Sequence, residues 1–276
     1  MGGFFYYFCG IMKELLIRTI SGAVLVAVIV ACILISPWTC WALALFIVAM
    51  GTFEMCRLMH VENGWLFAFA ELMAVCPFVL VSLGMLQVLP LMGLLLLFPA
   101  LPFLYALFST TSDFKTVAAC TFGSIAWLSV PCVLMMWMRE NFGPNMLLLV
   151  FVLLWVNDTF AYLTGRLLGK HKLFERISPG KTIEGSIGGL VFTLAGVAVF
   201  SHYVSWLPLK VALGMGLIAV TFGTLGDLCE SMLKRQAGVK DSGKLIPGHG
   251  GVLDRFDSVL FTLPFVFVFL IFLLLV

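Results

Sequence analysis

Charge is scarce in this chain. Of its 276 residues only 11% are Asp, Glu, Lys or Arg, against about 25% in an ordinary soluble domain. With 62% hydrophobic residues and a mean hydropathy of +1.13, a water-soluble globule of this length is excluded, because it has nowhere to hide that much apolar surface. The same arithmetic excludes intrinsic disorder, which needs low hydrophobicity and high charge. Paired cysteines are missing too. None of the eight cysteines forms a CxxC pair and most sit inside apolar runs, so a disulfide framework and a zinc site are excluded in favour of small buried hydrophobes. No repeat or low-complexity tract stands out. Residues 1–10 lack a basic leader, and no small-residue cleavage site follows in a polar context. The run 19–36, preceded by Lys13 and Arg18, therefore reads as a retained first span and not as a removable signal.

Long uninterrupted apolar runs are what the chain does have. They are too continuous for the alternating strands of a membrane barrel, and a bilayer span needs about 20 apolar residues. Nine segments qualify, at roughly 19–36, 38–59, 65–84, 86–108, 115–138, 145–167, 183–204, 207–227 and 253–276, with Pro37, Pro90, Pro99, Pro131 and Pro144 marking turns or kinks. The prediction is an all-α, polytopic integral membrane protein of about nine transmembrane helices. It forms a single membrane domain over 1–276, in which 1–150 is a poorly specific multi-span region and 151–276 carries the catalytic helices and loops. With the N-terminus placed in the cytoplasm, fourteen of the sixteen Lys and Arg residues fall on the cytoplasmic side, leaving only Arg139 and Lys210 outside. The odd span number then puts the C-terminus outside.

Two connections, about 166–182 and 227–254, hold nine of the sixteen basic residues, and a tenth, Arg255, directly follows the second. Chemistry is expected there, at the cytoplasmic face. Asp227, Glu230, Ser231 and Lys234 follow an i, i+3, i+4, i+7 spacing and share one helical face. Two carboxylates, a hydroxyl and an ammonium beside a membrane are expensive to leave unpartnered. Downstream, Lys240, Asp241 and Lys244 lead into a loop with Gly248, His249, Gly250 and Gly251, whose backbone amides suit phosphate oxygens. His249 reads as a hydrogen-bonding residue without a proton-transfer role. Asp254 and Asp257 are one helical turn apart, and Asp254 and Asp227 lie at the ends of successive spans, where facing carboxylates suit a hard cation such as magnesium. Asp158, inside the sixth run, requires a partner or a wet cavity. Gly180, Lys181 and Thr182 tempt a P-loop assignment, but Glu175 occupies the position of the first glycine and no strand precedes it, so that assignment fails. Gly185 and Gly189 form a small-xxx-small pair suited to helix packing.

The run from Ser231 to Asp257, with Met232, Leu233, Lys234 and Arg235, then Lys240 and Asp241, then His249, Gly250, Gly251, Val252, Leu253, Asp254, Arg255, Phe256 and Asp257, closely resembles the signature of the phosphatidate cytidylyltransferases, also called CDP-diacylglycerol synthases. Asp158 to Tyr162, Gly165, Arg166, Gly169, Lys170 and Ser178 to Thr182 are similar to that family as well. Gly180 departs from the lysine expected there. The specific resemblance covers about 155–258. It implies cytidylyl transfer from CTP to phosphatidate, giving CDP-diacylglycerol and pyrophosphate for phospholipid synthesis. The implied cofactor is Mg2+ with a second cation, and the implied setting is a bacterial inner membrane with the active site facing the cytoplasm. The implied partners are CTP, phosphatidate, the lipid bilayer and a second copy in a homodimer, and not nucleic acid. By the same resemblance Asp227 and Asp254 are metal ligands, with Glu230 or Asp257 completing the site or holding the second cation. Lys234, Arg235, Lys240 and Arg255 contact phosphates, and Asp227, Asp254, Lys234 and Arg255 carry the catalysis. Ser178, Lys181 and Thr182 bind CTP or the lipid phosphate, and His249, Gly250 and Gly251 form the glycine loop around the substrate. Two other readings compete. A CTP-dependent polyprenol kinase would move the γ-phosphoryl group, and a secondary transporter would use Asp158. Charge gathered at one face, away from the midplane, speaks against the transporter.

Overall fold

A computed structural model describes residues 2–84, 100–109, 113–248 and 250–275. The first helix, α1, is Gly2–Ile35, followed by α2 (Pro37–Leu58), α3 (Gly64–Ser82) and the short α4 (Ala100–Phe108). Next come α5 (Phe114–Ser124), a π-helical turn (Ile125–Ser129) and α6 (Val130–Phe142), then α7 (Pro144–Leu168). A hairpin of β1 (Lys172–Phe174) and β2 (Ser178–Thr182) leads to α8 (Ile183–Tyr203), α9 (Leu209–Gln236) and α10 (Leu253–Leu275). Eight helices among the described residues are long and apolar enough to cross a membrane. The all-α polytopic expectation is therefore borne out, and the chain is an integral membrane protein. The predicted span 86–108 lies mostly outside the described residues, which contain only its last stretch, α4.

The prolines punctuate as their chemistry requires. Pro37 and Pro144 open α2 and α7, where the missing N–H has no helical partner to lose. Pro131 follows the π turn, since its ring removes a regular helical hydrogen bond just upstream. Pro90 and Pro99 lie outside the described residues.

Two connections differ from the sequence reading. Basic residues expected in loops prolong the helices: α7 carries Arg166 in its last turn, and α9 carries Lys234 and Arg235 in its own. Backbone groups that approach the membrane must be satisfied internally, and continued helix does this most cheaply. The segment 172–182, expected as loop, is an antiparallel hairpin pairing Lys172 with Thr182 and Phe174 with Ser178.

One buried core runs from Ile29 and Ile33 of α1, through Ala44 and Ile47 of α2, to Phe256 and Leu263 of α10. The tightest seam joins α7 and α8. Cβ atoms added at Gly185, Gly188 or Gly189 would meet the Ala161 carbonyl, the Thr164 side chain and Asn157, respectively. Glycine is what lets these backbones touch, the packing role expected of Gly185 and Gly189. Gly226 does the same for α9, where a side chain would strike the Asp257 carbonyl of α10.

Candidate active site

Helices α7, α8, α9 and α10 and the hairpin enclose a cavity of about 720 Å³. The hairpin is anchored at both ends. Glu184, in the first turn of α8, accepts hydrogen bonds from the N–H groups of Lys170 (3.1 Å) and His171 (3.2 Å) and pairs with His171 Nδ1 at 2.6 Å. Thr182 caps α8 by accepting from Gly185 N–H at 3.1 Å. Its side chain is thus engaged in ordering the helix start. The anchored strand β2 carries Ser178 and Lys181 into the cavity wall, and Lys181 forms an ion pair with Asp227 of α9.

The floor is acidic. Asp227, Glu230 and Asp257 bring carboxylate oxygens within 4.8 Å of one another. Asp227 accepts a hydrogen bond from Ser231 Oγ at 3.3 Å, one helical turn away, as the shared face requires. Glu230 is 2% exposed and is ion-paired to Lys234, while its Oε1 meets no hydrogen-bond donor among the described residues. Asp158 opens into the same cavity and accepts from Asn157 Nδ2 at 3.3 Å. This is the wet cavity that an acid within a span demands. The trio lies deep, since Asp227 precedes the end of α9 at Gln236 by roughly 14 Å of helix at 1.5 Å per residue.

Asp254 is placed differently. Its Oδ1 meets Lys234 Nζ at 2.5 Å, and its Oδ2 accepts from Ser242 N–H (2.9 Å), Ser242 Oγ (2.9 Å) and Gly251 N–H (2.8 Å). The structure therefore gathers Asp257, and not Asp254, into the trio with Asp227. Lys234 is 8% exposed and lies between Glu230 and Asp254 in the last turn of α9. The Gly251 amide, expected to face phosphate, is taken by Asp254, and Gly250 (φ 81°) turns the chain so that Asp254 fits beneath it. His249 lies outside the described residues.

The remaining cations form the rim. Arg166, Arg235, Lys240 and Arg255 all line the cavity. Arg235 also straps two segments together, donating to the carbonyls of Ile177 (3.3 Å) and Val239 (3.1 Å). An acidic floor beneath a cationic rim suits a polyphosphate held near a hard cation.

One participant escaped the sequence reading. Glu54 of α2 is 2% exposed, and its carboxylate accepts from Ser242 Oγ (2.7 Å), Val252 N–H (2.8 Å) and Leu253 N–H (2.9 Å). It holds the start of α10 and shares the Ser242 hydroxyl with Asp254. The signal was present in the sequence: Glu54 is an acid inside an apolar run, a placement that needs a partner.

Residues 16–273 match the cytidylyltransferase family. The chain belongs to that family. Among similar proteins, the phosphatidate cytidylyltransferase of Staphylococcus aureus (strain COL) is 44% identical over 160 residues, which is 58% of this chain and 61% of the relative. That of Staphylococcus haemolyticus (strain JCSC1435) is 45% identical over the same length and coverage. That of Staphylococcus epidermidis (strain ATCC 35984) is 48% identical over 134 residues, 47% of this chain and 50% of the relative. The chain thus aligns with about half to three fifths of the length of these curated relatives.

Proposed function

We propose that this chain transfers the cytidylyl group of CTP to phosphatidate, releasing pyrophosphate and leaving CDP-diacylglycerol in the membrane. The observation that supports this most is the cavity, with three clustered carboxylates below and the Lys181, Lys240 and Arg255 cations around them, inside a bundle of membrane-length helices. Relatives of this family carry the phosphatidate cytidylyltransferase name.

In the proposed reaction an oxygen of the phosphatidate phosphate attacks the α-phosphorus of CTP in line. The α–β bridging P–O bond breaks, and its electron pair leaves with pyrophosphate. The attacking oxygen is already ionised near neutral pH, so no general base is needed. Catalysis then rests on positioning two anions and neutralising their charge. Arg255 and Lys240 are placed to meet phosphate oxygens, and Lys181 is held at the reacting edge by Asp227. Ser178 and Arg166 complete the wall. Lys234 and Asp254 lock the end of α9 to the start of α10.

The residues present fit a divalent cation. Asp227, Glu230 and Asp257 offer hard oxygen donors within one grouping, and the Glu230 Oε1 is buried without a donor among the described residues. These three would hold Mg2+, with Asp254 adjoining. When bound, such a cation supplies positive charge against the phosphates and so steadies the charge that builds on them. We place the cavity at the cytoplasmic face, on the strength of the basic bias of the connections that build it.

The test is turnover of purified protein in detergent with phosphatidate, magnesium and CTP labelled either in cytidine or at the γ-phosphate. Cytidine label in the lipid product supports the assignment. γ-Label on a lipid acceptor would indicate a kinase, and substrate uptake by the protein reconstituted in proteoliposomes, without CTP turnover, would indicate a transporter. Chelation of divalent cations is expected to abolish transfer. Asp227→Asn and Asp257→Asn are expected to raise the magnesium concentration needed for half-maximal rate at least tenfold. Unchanged magnesium dependence in either variant removes that residue from the cation site.

A further inference from the structure

Beside the main cavity lies a second one of about 380 Å³. Its walls come from two distant parts of the sequence, Arg18 of α1 and the loop that joins α9 to α10. Lys240, Asp241 and Arg255 line both cavities and form their common wall. Around the smaller one stand Arg18, Lys240, Lys244 and Arg255, against Asp241 as the single acid among the described lining residues.

This cationic cavity is built, not incidental. Ser21 Oγ donates to the Pro247 carbonyl at 3.0 Å, which fixes the loop to α1. Gly248, at φ 72°, lies against the Arg18 stem so closely that a Cβ there would stand 2.8 Å from Arg18 Cγ. Ile246 N–H closes the loop on the Gly250 carbonyl at 2.9 Å. Only glycine accepts those positive φ values without strain and lets the backbone approach the arginine stem.

We propose that this cavity is a diphosphate subsite. It holds the β- and γ-phosphates of the nucleotide before transfer and pyrophosphate before release. The nucleotide part of this inference rests on the cytidylyl-transfer reading, whereas the affinity for diphosphate does not. With the α-phosphorus over the acidic trio, the leaving group points past Arg255 and Lys240 into the second cavity. The charge that arrives on the bridging oxygen when its P–O bond breaks meets those two cations first. Ile246 and Pro247 are the only apolar side chains among the described lining residues, which suits a diphosphate and leaves no surface for acyl chains. The lipid phosphate is the other source of the same chemistry, and the test separates the two.

The experiment is titration of inorganic pyrophosphate into the purified full chain in detergent, without CTP or lipid, followed by calorimetry. Arg18→Gln and Lys244→Gln are each expected to weaken binding about tenfold, which is ~1.4 kcal/mol, while Lys210→Gln, at the opposite end of the bundle, leaves it unchanged. Arg18→Lys keeps the charge and is expected to lose less than Arg18→Gln. In turnover, the KM for CTP rises with the pyrophosphate constant and the KM for phosphatidate stays constant. Wild-type affinity in both Gln variants, or no pyrophosphate binding by the wild type, overturns the inference. A rise in the phosphatidate KM alone also overturns it and assigns the cavity to the lipid phosphate. If the variants lose pyrophosphate while the wild type transfers no cytidylyl group, the subsite stands and the assigned reaction falls.

Discussion

Lys234 and Arg255 look alike in the sequence, as two cations expected in one polar connection, but the structure separates their roles. Lys234 is buried between Glu230 and Asp254. Removing one partner of a buried ionic set leaves uncompensated charge, at a cost of roughly 3–5 kcal/mol. Lys234→Met is therefore expected to lower the thermal midpoint of the detergent-solubilised protein sharply, whatever substrate is present. A melting curve that matches wild type would show that the ammonium is not holding α9 to α10. Arg255 lines both cavities and is exposed to them. Arg255→Lys keeps the charge and loses the planar fork that grips two phosphate oxygens. It is expected to melt as wild type while turning over at least tenfold more slowly, ~1.4 kcal/mol of transition-state stabilisation. Full activity in Arg255→Lys, with loss of folding in Arg255→Ala, would make the residue a membrane-edge anchor.

Between elements, the decisive link joins α2 to α10 through Glu54. The amides of Val252 and Leu253 open α10 and have no helical acceptor of their own, so the Glu54 carboxylate supplies one. Glu54→Ala strands both amides, at about 1–3 kcal/mol for each buried group left unpaired, and leaves the Ser242 hydroxyl with Asp254 as its one remaining acceptor. The expected readouts are a lower thermal midpoint and faster tryptic cleavage at Lys240 and Lys244, whose loop Glu54 steadies through Ser242. Unchanged cleavage and melting would mean that the loop is held by Asp254 alone. This link also marks where the sequence stops being legible. Apolar run length reveals the spans, and local spacing reveals the face shared by Asp227, Glu230, Ser231 and Lys234. Both are short-range properties. That Asp257, and not Asp254, joins Asp227 depends on how α9 and α10 rotate against each other at Gly226. That Glu54 reaches a loop nearly two hundred positions away depends on the packing of the whole bundle. The hairpin at 172–182 was missed because three- and five-residue strands are too short to show a period.

Across the whole molecule, the distribution of basic residues around the site is the ground for the orientation we propose. Nine of the sixteen cations belong to the two connections that build the cavity and a tenth, Arg255, directly follows them, while one of the two expected at the opposite end has a structural reason to be there. Arg139 is 8% exposed, and its Nε donates to the Ile33 carbonyl at 2.9 Å, near the end of α1. A cation at a helix C-terminus satisfies orphan carbonyls and the helix dipole, so Arg139 does not weigh against the orientation read from the loops. Glu140 and Glu175 lie on either side of the single crossing made by α7, and both are exposed. In a background without the native cysteines, Glu140→Cys is expected to react with a membrane-impermeant maleimide in intact cells. Glu175→Cys is expected to react only after the membrane is opened. The reverse pattern would turn the cavity away from cytoplasmic CTP and remove the proposed reaction with it. Equal labelling of both before permeabilisation would mean that α7 does not cross the bilayer, leaving the buried carboxylate cluster of α9 and α10 without the membrane that explains its depth.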